Sequence, residues 1–305
     1  MPEVMGDAAP DDGEPRVPSK RAGRASRLLT WLGVAPFFAF VALFLFLPSV
    51  SLVLGAFQSQ GGGFTLENVR SLFEAQFLSA YKTSIFLSAL TAVLGGILGG
   101  LLAYAGLSGG TPRLVRPLLT TFSGVAANFA GVPLAFAFIA TLGTTGIVTQ
   151  FLNSALGLDL YGRGFSLFTF TGLALIYLYF QIPLMVLVIA PAIDGLRREW
   201  REAASNLGAS SGQYWRYVGL PVLMPSILGA MVLLFANAFA AYATPAALTA
   251  GQVSLAPVLI GQFIQGDVLT DPHQGYALAL GMLVVVAAST ILYSLLQRRV
   301  ARWTR

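Results

Sequence analysis

Charged residues are absent from six long stretches of this chain. No Asp, Glu, Lys or Arg occurs in 28–66, 83–112, 117–158, 164–193, 217–266 or 272–297. Each stretch can hold an apolar helix of about 20 residues, the length that crosses a hydrocarbon core of about 30 Å. The pattern predicts an all-α membrane protein with six transmembrane helices, at about 28–55, 83–107, 117–141, 167–192, 220–246 and 275–297. One such run also fits a helix buried in a large soluble core; six in succession do not. Residues 1–27, rich in Pro, Gly, Asp and Arg, are expected to form a disordered basic tail, and 28–305 the membrane domain. A secretory signal is the alternative for the first run, because Arg24 and Arg27 precede it, but 28–55 is longer than a signal core. Gly61-Gly62-Gly63 reads as a flexible turn. Phe64 to Ala80 reads as a short amphipathic surface helix with Thr65 as N-cap and Asn68 as the alternative.

Composition agrees. Of 305 residues, 56% are apolar and 10% charged, with a mean hydropathy of +0.74; soluble domains carry about 25% charge. That excludes a soluble enzyme, a disordered chain and a nucleic-acid binder. The net charge of +5 comes from placement. With the N-terminus inside, the inner side holds 15 of the 18 Lys and Arg residues, and the outer side only Arg70, Lys82 and Arg163. Cytoplasmic loops carry this excess, so both termini are expected in the cytoplasm, and no nucleic-acid partner is needed to explain the basicity. The absence of cysteine excludes disulfides, thiolate metal sites and a Cys nucleophile, and a single histidine, His273, excludes a His-built metal site.

Site chemistry is largely missing. There is no GxxxxGK[ST] phosphate loop, and Lys20 and Lys82 are the only lysines. No predicted span holds an ionisable group of the kind proton- or sodium-coupled carriers need, and no catalytic carboxylate pair or Ser/His/Asp set is evident. Asp267, Asp271 and His273 cluster in one loop, which reads as solvated rather than metal-binding. Gly95, Gly96, Gly99 and Gly100 form two overlapping small-xxx-small pairs in the second span. Tight helix packing is the plainer reading of them, and a sliding contact the alternative. Prolines 133, 183, 191 and 245 lie in or at the ends of spans, where each removes a donor and kinks or ends its helix. Asn128, Gln181, Asn237, Tyr242 and Thr244 are the polar side chains of the spans, candidates for a solute pathway or for bonds between helices.

One segment differs, the polar loop of about 194–220 between the fourth and fifth spans. Trp200, Ala203, Ala204 and Leu207 fall at i, i+3, i+4 and i+7, an apolar stripe on a short helix that Gly208 would end. Ser210 and Gln213 make an S-x-x-Q capping box for a second helix carrying Tyr214, Trp215 and Tyr217.

The segment reads Glu202-Ala203-Ala204, three residues, Gly208, nine residues, Val218, one residue, Leu220-Pro221. It resembles the signature EAA loop of permease subunits in binding-protein-dependent ABC importers, with every spacing kept. Trp215 stands where that family commonly has Phe, and Val218 where it often has Ile. Phe64-Thr65-Leu66-Glu67-Asn68 with Leu72, Val115-Arg116-Pro117-Leu118-Leu119 and Tyr242-Ala243-Thr244-Pro245-Ala246-Ala247-Leu248 look like the polyamine/phosphonate-type permeases, and sugar-type permeases share parts of them.

The resemblance implies a type I ABC importer permease fold in the bacterial cytoplasmic (inner) membrane. It implies a second permease chain, which the long first span and tail favour as a different homologous one. It further implies two ABC ATPase subunits and an extracytoplasmic solute-binding protein. No cofactor would be bound by this chain; ATP and Mg would sit on the ATPase. The loop would be a coupling helix in a cleft of the ATPase. Ala203, Ala204 and Leu207 would pack there, Glu202 would make a charged contact or fix the loop through Arg198, and Gly208 would supply the bend. The solute would be a small polar molecule, polyamine- or phosphonate-like or a sugar. A gradient-driven carrier or channel is the alternative, and a polytopic membrane enzyme a third reading; either would work without an ATPase chain.

Overall fold

The structure, a computed structural model, describes residues 24–59, 61–107, 111–249, 251–265 and 272–303. Most of the expected tail, and Asp267 and Asp271 of the predicted loop cluster, lie outside the described residues. The chain divides into two compact units, Met1–Ser51 and Leu52–Arg305. In the first, α1 (Arg24–Val41) passes through a π turn (Ala42–Phe46) into α2 (Leu47–Ala56), whose residues from Leu52 on belong to the second unit. The apolar stretch Gly33–Ala56 buries none of its hydrophobic window. A helix apolar on all sides is one that lipid or protein surrounds.

The second unit continues with α3 (Glu67–Ser71), α4 (Ala75–Leu107), α5 (Val115–Asn128), α6 (Val132–Leu142), α7 (Ile147–Leu156), α8 (Phe170–Asp194), α9 (Arg198–Asn206) and α10 (Ser211–Tyr214). A π turn (Trp215–Gly219) then leads into α11 (Leu220–Phe239), followed by α12 (Ala243–Thr249), α13 (Ala256–Gln265) and α14 (Pro272–Trp303). Among the described residues, six helical stretches are long and apolar enough to span a membrane: Gly33–Ala56, Ala75–Leu107, Val132–Leu156, Phe170–Asp194, Ser211–Phe239 and Pro272–Leu295.

Three expectations need correction. The fifth span does not run on to 246: α11 stops at Phe239 and the chain breaks before α12 starts at Ala243. The third span does not occupy 117–141. Gly131, at φ +77°, breaks that window between α5 and α6, and the stretch that qualifies runs on through α7. Residues 64–80 do not form one surface helix either. Asn68 is buried and donates from Nδ2 to the carbonyls of Ala56 (3.3 Å) and Gln58 (2.8 Å). That pins α3 to the end of α2, so α3 closes after one turn, and residues from Ala75 onward belong to the 33-residue α4. Thr65 Oγ1 accepts the Glu67 N–H (3.1 Å), but the residue preceding α3 is Leu66.

The framework is the mutual packing of α4, α8 and α11, with α5 against α8 and α14 against α11 and α13. Glycine makes the close approach possible. A Cβ on Gly95 would lie 2.7 Å from Gln181 Cβ, on Gly96 2.8 Å from Met231 Cε, and on Gly99 2.6 Å from both the Ile182 carbonyl oxygen and Met185 Cβ. Three of the four glycines are therefore the packing surface. At Gly100 the nearest atom, Met185 Cε, would be an ordinary 3.6 Å away. Two apolar clusters sit along this framework. One, around Leu173, Tyr177, Phe180, Leu248 and Leu255, joins α8 to α12 and the start of α13. The other, around Ala92, Ala103, Met185, Ile189 and Leu234, joins α4, α8 and α11 nearer α9.

An ion pair between Arg116 and Asp194 joins the first turn of α5 to the last residue of α8, so the two helices run antiparallel. Each charge is disfavoured by its own helix dipole and favoured by its neighbour's. Nothing in the sequence marks this pair.

The glycine face makes a sharp prediction. Gly99→Val should overpack α4 against the α8 backbone and cost about 1–3 kcal/mol. Gly100→Ala should be neutral or slightly stabilising, because Ala is the better helix former and its methyl has room. Thermal unfolding of the two purified variants separates them, and equal melting temperatures would contradict the packing described.

Candidate functional site

Two features stand apart from the packed framework. The first is the α9–α10 segment. α9 has no buried residue; Ala203 is exposed and Ala204 half-buried, and Leu207 is 88% exposed. Its end is a complete Schellman motif: the Gly208 N–H donates to the Ser205 carbonyl (2.9 Å) and the Ala209 N–H to the Ala204 carbonyl (3.0 Å), with Gly208 at φ +79°. A Cβ on Gly208 would meet nothing within 4 Å, so the demand for glycine here is conformational, not steric. Arg198 Nε donates to Glu202 Oε1 at 3.0 Å, one turn apart as the spacing predicts. Both side chains are largely exposed (89% and 61%), so the pair adds little stability.

The Ser210–Gln213 capping box is formed reciprocally: the Gln213 N–H donates to Ser210 Oγ (3.3 Å), and the Ser210 N–H to Gln213 Oε1 (2.7 Å). From Ser211 the helix runs without a break into α11. The Leu220 N–H bonds to the Trp215 carbonyl five residues back, so the π turn absorbs the approach to Pro221. The turn between α9 and α10 is thus fixed on both sides, and along the apolar ridge Ala203 and Leu207 are exposed while Trp200 and Ala204 are partly covered.

The second feature is a cavity of about 280 Å³ between two helix breaks, lined by Ala127, Gly131, Phe180, Asn237, Tyr242 and Thr244 among others. α5 stops before Gly131 and α6 starts after it; α11 stops at Phe239 and α12 starts at Ala243. Thr244 Oγ1 ties the two breaks together. It accepts the Gly131 N–H (2.8 Å) and donates to the Gly131 carbonyl (3.2 Å). One hydroxyl can do both. No lining residue is charged.

Of the five polar span residues, the structure brings Asn237, Tyr242 and Thr244 to this cavity. Asn128 is exposed and donates from Nδ2 to the Gly124 carbonyl (2.8 Å) in its own helix. Gln181 is fully buried under Gly95; its Nε2 donates to the Leu234 carbonyl (3.0 Å), and its Oε1 has no hydrogen-bond partner among the described residues. Sequence reasoning missed Gly131. Its signal was the Gly131-Val132-Pro133 run, since Pro133 sits in the first turn of α6. His273 belongs to the first turn of α14, with Nδ1 2.9 Å from the Gly55 carbonyl oxygen. No cluster of metal-binding side chains occurs among the described residues.

Comparison with known proteins bears on the family and the fold. Residues 95–305 match the family described as binding-protein-dependent transport system inner membrane component. The trehalose transport system permease protein SugB of Mycobacterium tuberculosis is 26% identical over 238 residues, covering 77% of this chain and 78% of that protein. The spermidine/putrescine transport system permease protein PotB of Haemophilus influenzae is 25% identical over 279 residues, covering 88% and 95%. The sulfate transport system permease protein CysT of Escherichia coli is 25% identical over 202 residues, covering 64% and 66%. A crystal structure of a bacterial ABC transporter involved in the import of the acidic polysaccharide alginate shares the fold, with a TM-score of 0.72 at 21% identity over 90% of this chain and 96% of that one. The three relatives are named for three unlike solutes, so they fix the kind of machine and not its cargo. The carrier and membrane-enzyme alternatives give way here: the chain belongs to the family of binding-protein-dependent transport system inner membrane components, and is a permease subunit of an ABC importer that leaves ATP hydrolysis to a separate chain.

Proposed function

We propose that α9 is the helix through which this permease receives work from an ABC ATPase, and that the cavity between the two helix breaks is part of the solute pathway. The observation that carries the first claim is the exposed ridge of α9: a helix closed by a Schellman end presents Leu207, 88% exposed, at its C-terminal cap. Ala203 and Ala204 leave room for a partner to approach closely, and Glu202 offers a charged contact beside Arg198. Both termini and the α9 loop would face the cytoplasm, as the 15-to-3 distribution of basic residues favours. Two ATPase subunits would bind ATP and Mg; this chain would bind neither. A second, homologous permease chain would complete the pathway, and a solute-binding protein would deliver a small polar solute from outside.

The cavity supports the second claim through its backbone. Irregular backbone at membrane depth survives only where protein buries it or a cavity lies beside it, and here two breaks share one cavity. The lining offers the Asn237 amide and the Tyr242 phenol with no charge, which suits a polar solute held by hydrogen bonds.

Variants of α9 test the first claim. Gly208→Val should abolish ATP-driven uptake by the reconstituted importer, because a β-branched residue resists positive φ. Gly208→Asn, which tolerates the left-handed region, should retain most uptake. Ala204→Trp should overfill the partner cleft and uncouple ATP hydrolysis from uptake while the chain still inserts. Normal uptake by Gly208→Val and Ala204→Trp at normal expression would refute the coupling role.

The clamp tests the second. Thr244→Val keeps the shape but leaves the Gly131 N–H without its partner, a loss of about 1–3 kcal/mol. It should lower both the melting temperature and the uptake rate, whereas Thr244→Ser should keep both. If Thr244→Val matches the wild type in both assays, the clamp does not hold the cavity.

A further inference from the structure

The helices α4, α8 and α11 and the π turn enclose a second groove, of about 610 Å³, which shares no lining residue with the helix-break cavity. Along α11 the groove runs from Leu220 to Met231. That is about 16 Å at 1.5 Å per residue, against about 15 Å for the half-thickness of a bilayer hydrocarbon core. Its deep end is apolar, formed by Gly96, Met185 and Met231. Its mouth carries Trp215 and Arg216.

The mouth is built rather than incidental. Trp215 packs edge-to-face on Tyr104, with ring centroids 4.6 Å apart. It also lies over Gly219, where a Cβ would come within 2.7 Å of the indole ring. Arg216 sits 5.6 Å from the centre of the Tyr217 ring and forms no ion pair among the described residues. Its charge faces no carboxylate there.

An apolar slot one leaflet deep, with an amphipathic ring and a cation at its mouth, matches one acyl chain and the charged headgroup of a phospholipid in length and polarity. Basic groups between membrane helices recognise anionic headgroups, and tryptophan favours the headgroup level. We propose that this groove binds an anionic phospholipid of the cytoplasmic leaflet, its acyl chain along α11 and its phosphate at Arg216. The proposal rests on the reading that places α9 in the cytoplasm. Gly212, Trp215 and Arg216 belong to the segment linking α9 to α11, so a bound lipid braces the path from the loop into the membrane.

The test uses the assembled importer in nanodiscs of equal parts phosphatidylglycerol and phosphatidylcholine, with retained lipid read by native mass spectrometry. The wild type should retain phosphatidylglycerol over phosphatidylcholine by about fivefold, the advantage expected of one basic residue near the surface. Arg216→Gln should bring the ratio to parity while keeping total retention. Gly100→Leu should lose retention of both lipids, since its side chain grows into the groove from a position with room for a Cβ. An unchanged ratio in Arg216→Gln, or full retention in Gly100→Leu, overturns the proposal. So does loss of the second permease chain from Gly100→Leu with lipid retention unchanged, which would make the groove a protein interface. A reporter fused at Ser211 that reads outside the cell would instead overturn the orientation beneath it.

Discussion

Inside an apolar surrounding, a backbone amide or carbonyl that leaves its helix has no water to turn to. The second unit contains several such departures, and remote side chains meet them. Thr244 holds both polar groups of Gly131 across 113 positions of sequence. Ser84 Oγ of α4 accepts the Ala256 N–H at the start of α13 (2.9 Å), and the Tyr161 hydroxyl donates to the Leu142 carbonyl at the end of α6 (2.9 Å). Because these groups are satisfied, α5–α6 and α11–α12 can break where a cavity needs them to. A continuous pair of helices would leave no space there.

The rest of the architecture divides into stiff and free parts. The glycine face of α4 locks that helix to α8 and α11 at distances that exclude even a methyl group at Gly95 and Gly99, and that admit one at Gly96 only if the Met231 side chain shifts. The Arg116–Asp194 pair fixes α5 to α8 four residues before α9 begins. The α9 ridge is the opposite: ordered by its Schellman end and the capping box that follows, but unburied. An ordered loop helix with an exposed apolar residue at its end is suited to receive a push from a partner and pass it into the packed helices.

Much of this was legible from the chain alone. The charge-free stretches located the first, fourth and sixth spans to within a few residues and the second apart from its start, and the loop's spacing located α9, Gly208, the capping box and the Arg198–Glu202 pair. These features are local: each depends on residues within about two helical turns, where periodicity and capping chemistry decide the outcome. What failed was long-range or conformational. Hydropathy does not register a positive φ at Gly131, so the third span was drawn straight through a break. Asn68 read as a cap because its partners, the Ala56 and Gln58 carbonyls, are set by the fold of the chain at that turn. The polar residues of the spans looked alike in sequence. Packing separates them, burying Gln181 against α11 and gathering Asn237, Tyr242 and Thr244 around one cavity.

The central claim is that the α9 ridge meets the ATPase. The chain has no cysteine, so a single introduced thiol reports without background. Leu207→Cys in the assembled importer, treated with a short thiol-reactive cross-linker, should join this chain to the ATPase chain, and the yield should change when ATP binds. Gly62→Cys, in the turn after the first span, should give no such product. If Leu207→Cys forms no adduct with the ATPase in an importer that still transports, α9 is not the coupling helix.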